Sequence, residues 1–278
     1  MSKVLRPRSK LLALEILLIA LVILFLLPFY IVFSNSFKSM SDILLDSMGL
    51  PPFLDFNNYI RAWEKLNFTL VLKNTLIITA VSNLFLLVFA SMAAYRIARS
   101  DNRFTRGIFS LFVASMVIPF QAIMIPLVKV LNTAGIVNTL TGVIVSYVGL
   151  GVSMTLFLYH GFVKSVPREI EEAATVDGCN PYGVFWRIVF PLLKPMTVTT
   201  LMLNTLWIWN DFMLPLIILQ KTSLHTIQLA INSLFGEYLK QWDMALAALV
   251  MGIAPMIIFF LFLQRYVIEG ISAGAVKG

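Results

Sequence analysis

The chain has 278 residues and a formal net charge of +7, with 59% of its residues hydrophobic and only 13% charged. Soluble globular proteins carry about 25% charged residues, so this chain has too few charged side chains to cover the surface of a soluble fold of its length. The composition therefore excludes a soluble globular protein and predicts a polytopic membrane protein of the all-α class.

Several kinds of site chemistry are excluded or disfavoured by the residue types present. The single cysteine, Cys179, rules out an intramolecular disulfide framework. The sequence contains no Gly-Lys-Ser/Thr, so the chain has no P-loop of its own, and His160 and His225 lie too far apart for a His-x-x-x-His site. We therefore expect no metal site, no bound cofactor and no enzymatic activity in this chain.

Six apolar windows are long enough to cross a hydrocarbon core of about 30 Å as helices, which satisfy their own backbone groups in lipid. They divide the chain into an amino-terminal segment (1–15), an outer loop (34–75), a transmembrane core (76–267) and a carboxy-terminal tail (264–278). The six predicted spans are residues 16–33, 76–95, 108–128, 140–159, 196–219 and 244–263.

Prolines interrupt several of these windows. Proline removes a backbone donor and kinks a helix. Two interpretations stay open at this point: packing tolerates the irregularities, or the bundle must bend or line a cavity. The prolines inside the windows are Pro28, Pro119, Pro126, Pro215 and Pro255.

The distribution of basic residues predicts the orientation in the membrane. An even number of spans places both termini on the same side. With the amino terminus inside, 14 of the 21 Lys and Arg residues fall in cytoplasmic segments and 7 in outer segments. Because cytoplasmic loops carry the excess of basic residues, we expect a multi-pass protein with both termini in the cytoplasm.

The cytoplasmic stretch 163–195 has the pattern of a short, well-delimited helix. Ser165 is a candidate N-cap, Pro167 falls in the first turn and Gly178 is the expected stop. Acidic residues lie mostly opposite the apolar face, and an acidic helix is a poor ligand for an anionic leaflet. We therefore expect this helix to dock to a cytoplasmic protein. Its apolar face consists of Val166, Ile170, Ala173 and Ala174.

The same stretch resembles the EAA loop of ABC-importer permeases. The family pattern is Glu-Ala-Ala, three residues, Gly, nine residues, Ile, one residue and Leu-Pro. The resemblance implies a type I ABC-importer permease fold in which this loop sits in a cleft on an ATPase. The one departure is a phenylalanine in place of the leucine. The matching residues are Glu172-Ala173-Ala174, Gly178 and Ile188-Val189-Phe190-Pro191.

The resemblance also implies roles within the loop. Glu172 would make polar contacts with the ATPase, while Ala173 and Ala174 would allow close packing against it. Gly178 would allow the sharp turn, so that nucleotide-driven closure becomes rocking of the helices. The residues that the resemblance assigns to ATPase coupling are Glu172, Ala173, Ala174, Asp177, Gly178, Ile188 and Pro191.

Two further segments narrow the resemblance to carbohydrate-uptake permeases of the maltose type. Residues 209–216 resemble the fifth-span motif of that family, and the tail 264–278 resembles the end of the second permease of the pair. The resemblance implies a heterodimer with a homologous permease, two cytoplasmic ATPase subunits that bind ATP and Mg, and an extracytoplasmic solute-binding protein. It further implies alternating-access import of a sugar or oligosaccharide across the lipid of a bacterial or archaeal cytoplasmic membrane, with no role for nucleic acid.

The fifth span carries the most suggestive intramembrane residue, Asp211, because a charge near the bilayer centre is costly. On a continuous helix Asn204, Trp207 and Asp211 share one face, where aromatic and hydrogen-bonding groups suit the ring faces and hydroxyls of a sugar. The alternative is that these polar groups bond to neighbouring helices and the tryptophans pack. The predicted substrate path is Tyr147, Asn204, Trp207, Asn210 and Asp211, and the further candidates on span four are Ser153 and Tyr159.

Other functions stay open beside this one. An ion-coupled secondary transporter needs intramembrane acids or histidines, and Asp211 alone is thin support for it. A membrane scaffold predicts no transport defect on deletion. A related permease for an anionic solute such as glycerol phosphate is expected to bury Arg or Lys near the midplane, where the sequence has neither, so a neutral sugar is favoured.

Overall fold

The computed structural model describes residues 8–100, 102–235 and 241–275, which form helices and turns with no β-strand among them. The prediction of an all-α protein is confirmed for this part of the chain. The first seven residues of the predicted amino-terminal segment and the last three of the predicted tail lie outside the described residues.

The described helices follow one another with short connections. The α-helices are α1 (Arg8–Asn35), α2 (Met40–Leu45), α3 (Asn57–Lys65), α4 (Phe68–Phe85), α5 (Ser91–Arg99), α6 (Arg103–Ser115), α7 (Phe120–Thr133), α8 (Leu140–Val163), α9 (Arg168–Val176), α10 (Pro181–Gly183), α11 (Phe190–Leu192), α12 (Lys194–Asn210), α13 (Met213–Ile218), α14 (Ile227–Asn232) and α15 (Trp242–Ala275). One π-helical turn, Leu86–Ala90, joins α4 to α5, and a second, Val184–Val189, joins α10 to α11. A short 3₁₀ turn covers Thr222–Leu224.

Four stretches of helix in the described residues are long and apolar enough to cross a membrane, and the pair α6 and α7 meets the same test when taken together. The two helices of that pair are bent by 106° at their break. By length and composition the structure therefore counts four spans, or five with the bent pair, where the sequence predicts six. The four stretches are Leu14–Asn35, Phe68–Arg99, Leu140–Val163 and Trp242–Gln264.

The predicted continuous helix over 108–128 is divided, and proline explains the position of the break. α6 ends at Ser115, four residues before Pro119, which itself precedes the first residue of α7. A proline lacks the N–H that would bond the carbonyl four residues earlier, and its ring clashes with that carbonyl. The helix therefore stops where the proline would have closed its next turn.

The predicted continuous helix over 196–219 is divided for the same reason. α12 ends at Asn210, Asp211 is extended with φ −74° and ψ 132°, and α13 begins at Met213. Asp211 is the residue four positions before Pro215, so its carbonyl is the one that the proline cannot bond. Asp211 consequently lies at a helix break and does not share a helical face with residues of α12.

The chain divides into two compact units. The first contains the described residues of 1–68 and 231–253, and the second contains those of 69–230 and 254–278. Helix α15 (Trp242–Ala275) includes most of the predicted tail.

The first unit gives the predicted outer loop an ordered structure. The Lys38 side chain is only 2% exposed, and its Nζ donates to the backbone carbonyls of Asp46 and Gly49 at 2.7 Å each. Arg61 Nη1 donates to Asp243 Oδ2 at 3.0 Å. The first two bonds stabilise the segment around α2, and the third joins α3 to the start of α15.

The second unit has two buried clusters along α8. One joins α8 to α5 and to the segment that follows α8, and the other joins α8 to α12, α13 and α7. Gly151 on α8 allows a close approach between the neighbouring elements: a Cβ there would lie 3.0 Å from both Leu86 Cδ1 and Trp207 Cζ3. The π-helical turn at Leu86 and the helix α12 therefore pack against the same point of α8.

Candidate functional site

The helix α9 ends where the sequence predicts a stop. The N–H of Gly178 donates to the Thr175 carbonyl and the N–H of Cys179 donates to the Ala174 carbonyl, each at 3.0 Å. This pair of bonds is a Schellman motif, which requires a residue in the left-handed region. Gly178 has φ +85°, a conformation that costs glycine little because it has no Cβ.

The start of α9 differs from the prediction by a few residues. Pro167 is the residue that precedes the helix, and it makes no side-chain cap. The Ser165 hydroxyl, which was the expected cap, donates instead to the Phe162 carbonyl at 2.8 Å. Ser165 therefore bonds to the last turn of α8, and Pro167 is the residue that directly precedes α9.

The residues of the predicted apolar face of α9 have two different environments. Val166 and Ala174 are buried, at 7% and 8% exposed, within the cluster that joins α5 to α8. Ile170 is 41% exposed, and Ala173 is exposed beside Glu172. The segment therefore packs against the cluster through Val166 and Ala174, and it exposes Ile170, Glu172 and Ala173. Of the other predicted coupling residues, Asp177, Gly178 and Pro191 are exposed and Ile188 packs half-buried against the cluster.

A second acidic residue of α9, Glu171, makes buried polar contacts that the sequence analysis missed. Its Oε1 accepts hydrogen bonds from Nε and Nη2 of Arg99, the former at 2.8 Å, and its Oε2 accepts one from the Tyr95 hydroxyl at 2.8 Å. Arg99 Nη2 also donates to the Val166 carbonyl at 2.8 Å. The side chains of Arg99 and Glu171 are only 13% and 12% exposed.

The sequence alone indicates the two donors of this cluster but not their acceptor. Tyr95 and Arg99 are four residues apart, so on a helix they present two polar groups side by side at the end of an apolar span. Their acceptor lies 72 residues beyond Arg99, and neither periodicity nor spacing singles out Glu171 from the neighbouring glutamates.

The break between α12 and α13 brings three of the predicted substrate-path residues together. The Tyr147 hydroxyl donates to Asp211 Oδ2 at 2.9 Å, and the backbone N–H of Met213 donates to Asp211 Oδ1 at 3.0 Å. The rings of Tyr147 and Trp207 meet edge to face, with centroids 5.3 Å apart at 85°. Among the described residues, no cation forms an ion pair with Asp211.

A cavity of about 460 Å³ opens beside this break and beside the break between α6 and α7. Trp207 and Asp211 line it from one side, and Gln121 lines it from the start of α7. Ser115 and Ser153, whose hydroxyls are 2.8 Å apart, supply further polar lining. Ser153 was a candidate from the sequence, whereas Gln121 and Ser115 were missed because the bend that turns them inward is not visible in an apolar window.

Three predicted substrate-path residues lie outside the lining of this cavity: Tyr147, which is fully buried behind Asp211, and the two asparagines. Asn204 is 5% exposed, and its Nδ2 donates to Thr155 Oγ1 on α8 at 3.1 Å. Asn210 is exposed, and its Nδ2 donates to the Leu206 carbonyl in its own helix at 2.8 Å. Asn204 makes the bond to a neighbouring helix that the alternative interpretation describes, whereas the Asn210 bond stays within its own helix.

A family model described as "binding-protein-dependent transport system inner membrane component" matches residues 86–272. The chain belongs to this family. It is a multi-pass membrane transport component and not an enzyme, as the sequence predicts.

Relatives support this assignment over nearly the whole length. The chain is 39% identical to the probable starch degradation products transport system permease protein AmyC of Thermoanaerobacterium thermosulfurigenes, over 93% of this chain and 94% of that protein. It is 38% identical to the melibiose/raffinose/stachyose import permease protein MelC of Bacillus subtilis, over 91% of each.

The fold has a counterpart among solved structures. A chain from the crystal structure of a bacterial ABC transporter involved in the import of the acidic polysaccharide alginate matches with a TM-score of 0.82. The two chains are 22% identical, and the match covers 95% of this chain and 99% of the other. The two chains therefore share a fold over nearly their whole length.

Proposed function

We propose that this chain is a permease subunit of an ATP-driven importer that moves a sugar or oligosaccharide across the cytoplasmic membrane by alternating access. The observation that carries the proposal is the pair of relatives at 38–39% identity over more than nine-tenths of the chain, both named for import or transport of carbohydrates. A likeness at this level over the full length supports a shared kind of cargo more strongly than fold alone.

The geometry of α9 supports coupling to a separate ATPase. Glu172 and Ala173 are exposed, whereas Ala174 on the neighbouring side is buried against the rest of the chain. A small residue beside an exposed carboxylate suits a helix that enters a groove on a partner. The fixed turn at Gly178 keeps that surface in one orientation. ATP and Mg would be held by the ATPase, not by this chain.

The proposed assembly has four kinds of component. We infer a heterodimer of this chain with a homologous permease, two cytoplasmic ATPase subunits and an extracytoplasmic solute-binding protein. The family description supports the last of these, and a related solved structure is a complex of the alginate transporter with an alginate pentasaccharide-bound periplasmic protein.

We propose six spans with both termini in the cytoplasm. Two of the six would be broken spans: α6 with α7, and α12 with α13. The excess of Lys and Arg in the segments assigned to the cytoplasm supports this orientation. Broken helices within the membrane are tolerated where they line a cavity, and both breaks lie at the 460 Å³ cavity.

The cavity is the proposed substrate path in this chain. The half-exposed Trp207 ring offers an apolar face to a sugar ring, and Asp211 and Gln121 offer an acceptor and an amide for hydroxyl groups.

Purification of the tagged chain from its native membrane, followed by mass spectrometry, tests the assembly. We expect a second permease and an ABC ATPase to co-purify. Reconstituted in liposomes with a binding protein, the complex should take up raffinose or maltotriose only with ATP. Uptake that persists without ATP, from a chain that purifies alone, would overturn the importer proposal in favour of a secondary carrier.

The turn that ends α9 gives a sharp test of coupling. Gly178→Val should place a β-branched residue at φ +85°, where L-residues are strained by about 1–2 kcal/mol, and should lower uptake at least about ten-fold. Membrane insertion should be unchanged.

Two matched variants serve as controls for this prediction. Gly161→Val adds the same side chain at a helical glycine with no atom within 4 Å of the new Cβ, and Gly178→Asn restores a residue that tolerates the left-handed region. Both should retain most uptake. Wild-type uptake by a correctly inserted Gly178→Val protein would contradict the role of the turn.

A further inference from the structure

The buried cluster of Tyr95, Arg99 and Glu171 fixes α9 to the end of α5. Glu171 uses both carboxylate oxygens within the chain, one for Arg99 and one for Tyr95. Its neighbour Glu172 is exposed and makes no such bond. The two adjacent glutamates of α9 therefore differ in role. Glu172 is available to a partner protein, whereas Glu171 bonds within this chain.

Stability alone is a weak reason for this arrangement. Taking a carboxylate and a guanidinium out of water costs several kcal/mol per ion, and apolar residues of similar volume are often as stable. What an ion pair with two hydrogen bonds from one guanidinium to one carboxylate oxygen supplies is a fixed relative geometry. Arg99 adds to this by donating to the Val166 carbonyl just before α9, so one side chain holds both the helix and its entry.

The helix to which α9 is fixed leads to the wall of the cavity. α5 continues through the π-helical turn Leu86–Ala90 into α4. Leu86 is fully buried, and a Cβ at Gly151 would lie 3.0 Å from both its Cδ1 and Trp207 Cζ3. Trp207 lines the cavity. A displacement of α9 that carries α5 with it would thus reach the residue that lines the substrate path.

We propose that Tyr95, Arg99 and Glu171 form a latch that makes α9 and α5 move as one body, so that motion of the ATPase is delivered along α5 to the cavity wall. The three are positioning residues, and the proposal rests on the proposed function of the chain as an ATP-driven importer. Without the latch, α9 would follow the ATPase while α5 lagged behind, and nucleotide hydrolysis would no longer be tied to transport.

The test uses the intact importer in liposomes and measures ATP hydrolysed per sugar transported. Glu171→Gln and Arg99→Met should each raise this ratio about ten-fold while the ATPase subunits stay bound. The double variant should be no worse than the worse single variant, because each change breaks the same contact. The charge exchange Arg99→Glu/Glu171→Arg should recover part of the coupling.

Two controls remove the same charges without touching the latch. Arg96→Met changes an exposed arginine one turn earlier on α5, and Glu169→Gln changes an exposed glutamate on α9. Both should keep the wild-type ratio. A wild-type ratio in Glu171→Gln, or an equal rise in the two controls, would overturn the latch.

A second readout does not depend on transport and so separates failure of the latch from failure of the importer proposal. Spin labels are placed at Phe89→Cys and at the exposed Val176→Cys in a Cys179→Ser background. The label distance distribution in the purified protein should broaden in Glu171→Gln and stay narrow in Arg96→Met. An unchanged distribution would overturn the latch whatever the transport assay gives.

Discussion

Two carboxylates of this chain each accept a hydrogen bond from a tyrosine, yet their surroundings differ. Glu171 also receives two bonds from Arg99 and is closed off, with 12% of its side chain exposed. From the part of the chain that the structure describes, Asp211 receives the Tyr147 hydroxyl and one backbone N–H, and it faces a cavity. Among the described residues it has no cationic partner.

The difference indicates how a membrane protein uses a charge in each place. A carboxylate that accepts three hydrogen bonds from its own chain and is largely closed off from solvent is held in place and has little access to a ligand. A carboxylate at a helix break, held at one oxygen by a phenol and at the other by the backbone, keeps lone pairs available to a ligand. The first fixes geometry, and the second is suited to binding.

The largest effect on stability should come from removing one partner of the buried Arg99–Glu171 pair. Arg99→Met leaves the Glu171 carboxylate buried without its cation, and we expect the free energy of unfolding to fall by about 3–5 kcal/mol. The double variant Arg99→Met/Glu171→Met removes both charges and should recover most of that loss. Unfolding in mixed micelles with increasing SDS measures both, and a double variant as unstable as the single would contradict the pairing.

A change at Asp211, which faces the cavity, should affect stability less and sugar uptake more. Asp211→Asn keeps an oxygen for the Met213 N–H, and its Nδ2 can donate to the Tyr147 hydroxyl, which turns to accept, so the free energy of unfolding should change by less than about 1 kcal/mol. A hydrogen bond from a sugar hydroxyl to a charged group contributes about 2 kcal/mol, so uptake at low sugar concentration should fall about 30-fold. The opposite pattern, stable uptake in an unstable protein, would assign Asp211 to structure.

The smallest effects should separate the two tyrosines. Tyr95→Phe and Tyr147→Phe each remove one hydroxyl, and we expect each to lower the free energy of unfolding by about 1 kcal/mol. Only Tyr147→Phe should also weaken uptake at low sugar concentration, about five-fold, because its acceptor lines the cavity. Equal uptake by the two variants, measured on the reconstituted importer, would contradict the assignment of Glu171 to structure and Asp211 to sugar binding.

Local signals in the sequence predicted the all-α class and the end of α9. Gly178 could be predicted because one residue type meets the need for a left-handed turn after a short amphipathic helix. The family resemblance rested on this same short segment, and the match of the family model over residues 86–272 confirms it.

Contacts between distant segments could not be predicted in this way. The partner of Arg99, Glu171, lies 72 residues away. Hydropathy does not distinguish it from the neighbouring glutamates. The shared face of Asn204, Trp207 and Asp211 was expected on an unbroken helix, but Pro215 ends the helix at the residue before Asp211. Trp207 and Asp211 meet at the cavity through that break, and Asn204 does not line it.

The two proline breaks have a consequence for the kind of solute that the cavity wall can solvate. Two helices end and two begin beside it, and helix ends carry carbonyl oxygens, and helix starts N–H groups, outside the regular helical bonding pattern. Several of these groups, such as the Ser115 carbonyl and the Met213 N–H, are bonded by a turn or a side chain, and each carbonyl keeps a second lone pair. A hydroxyl group both donates and accepts, so a polyol can satisfy both sets in turn. A polyhydroxylated molecule can therefore take the place of water along this wall, which a hydrocarbon chain cannot do.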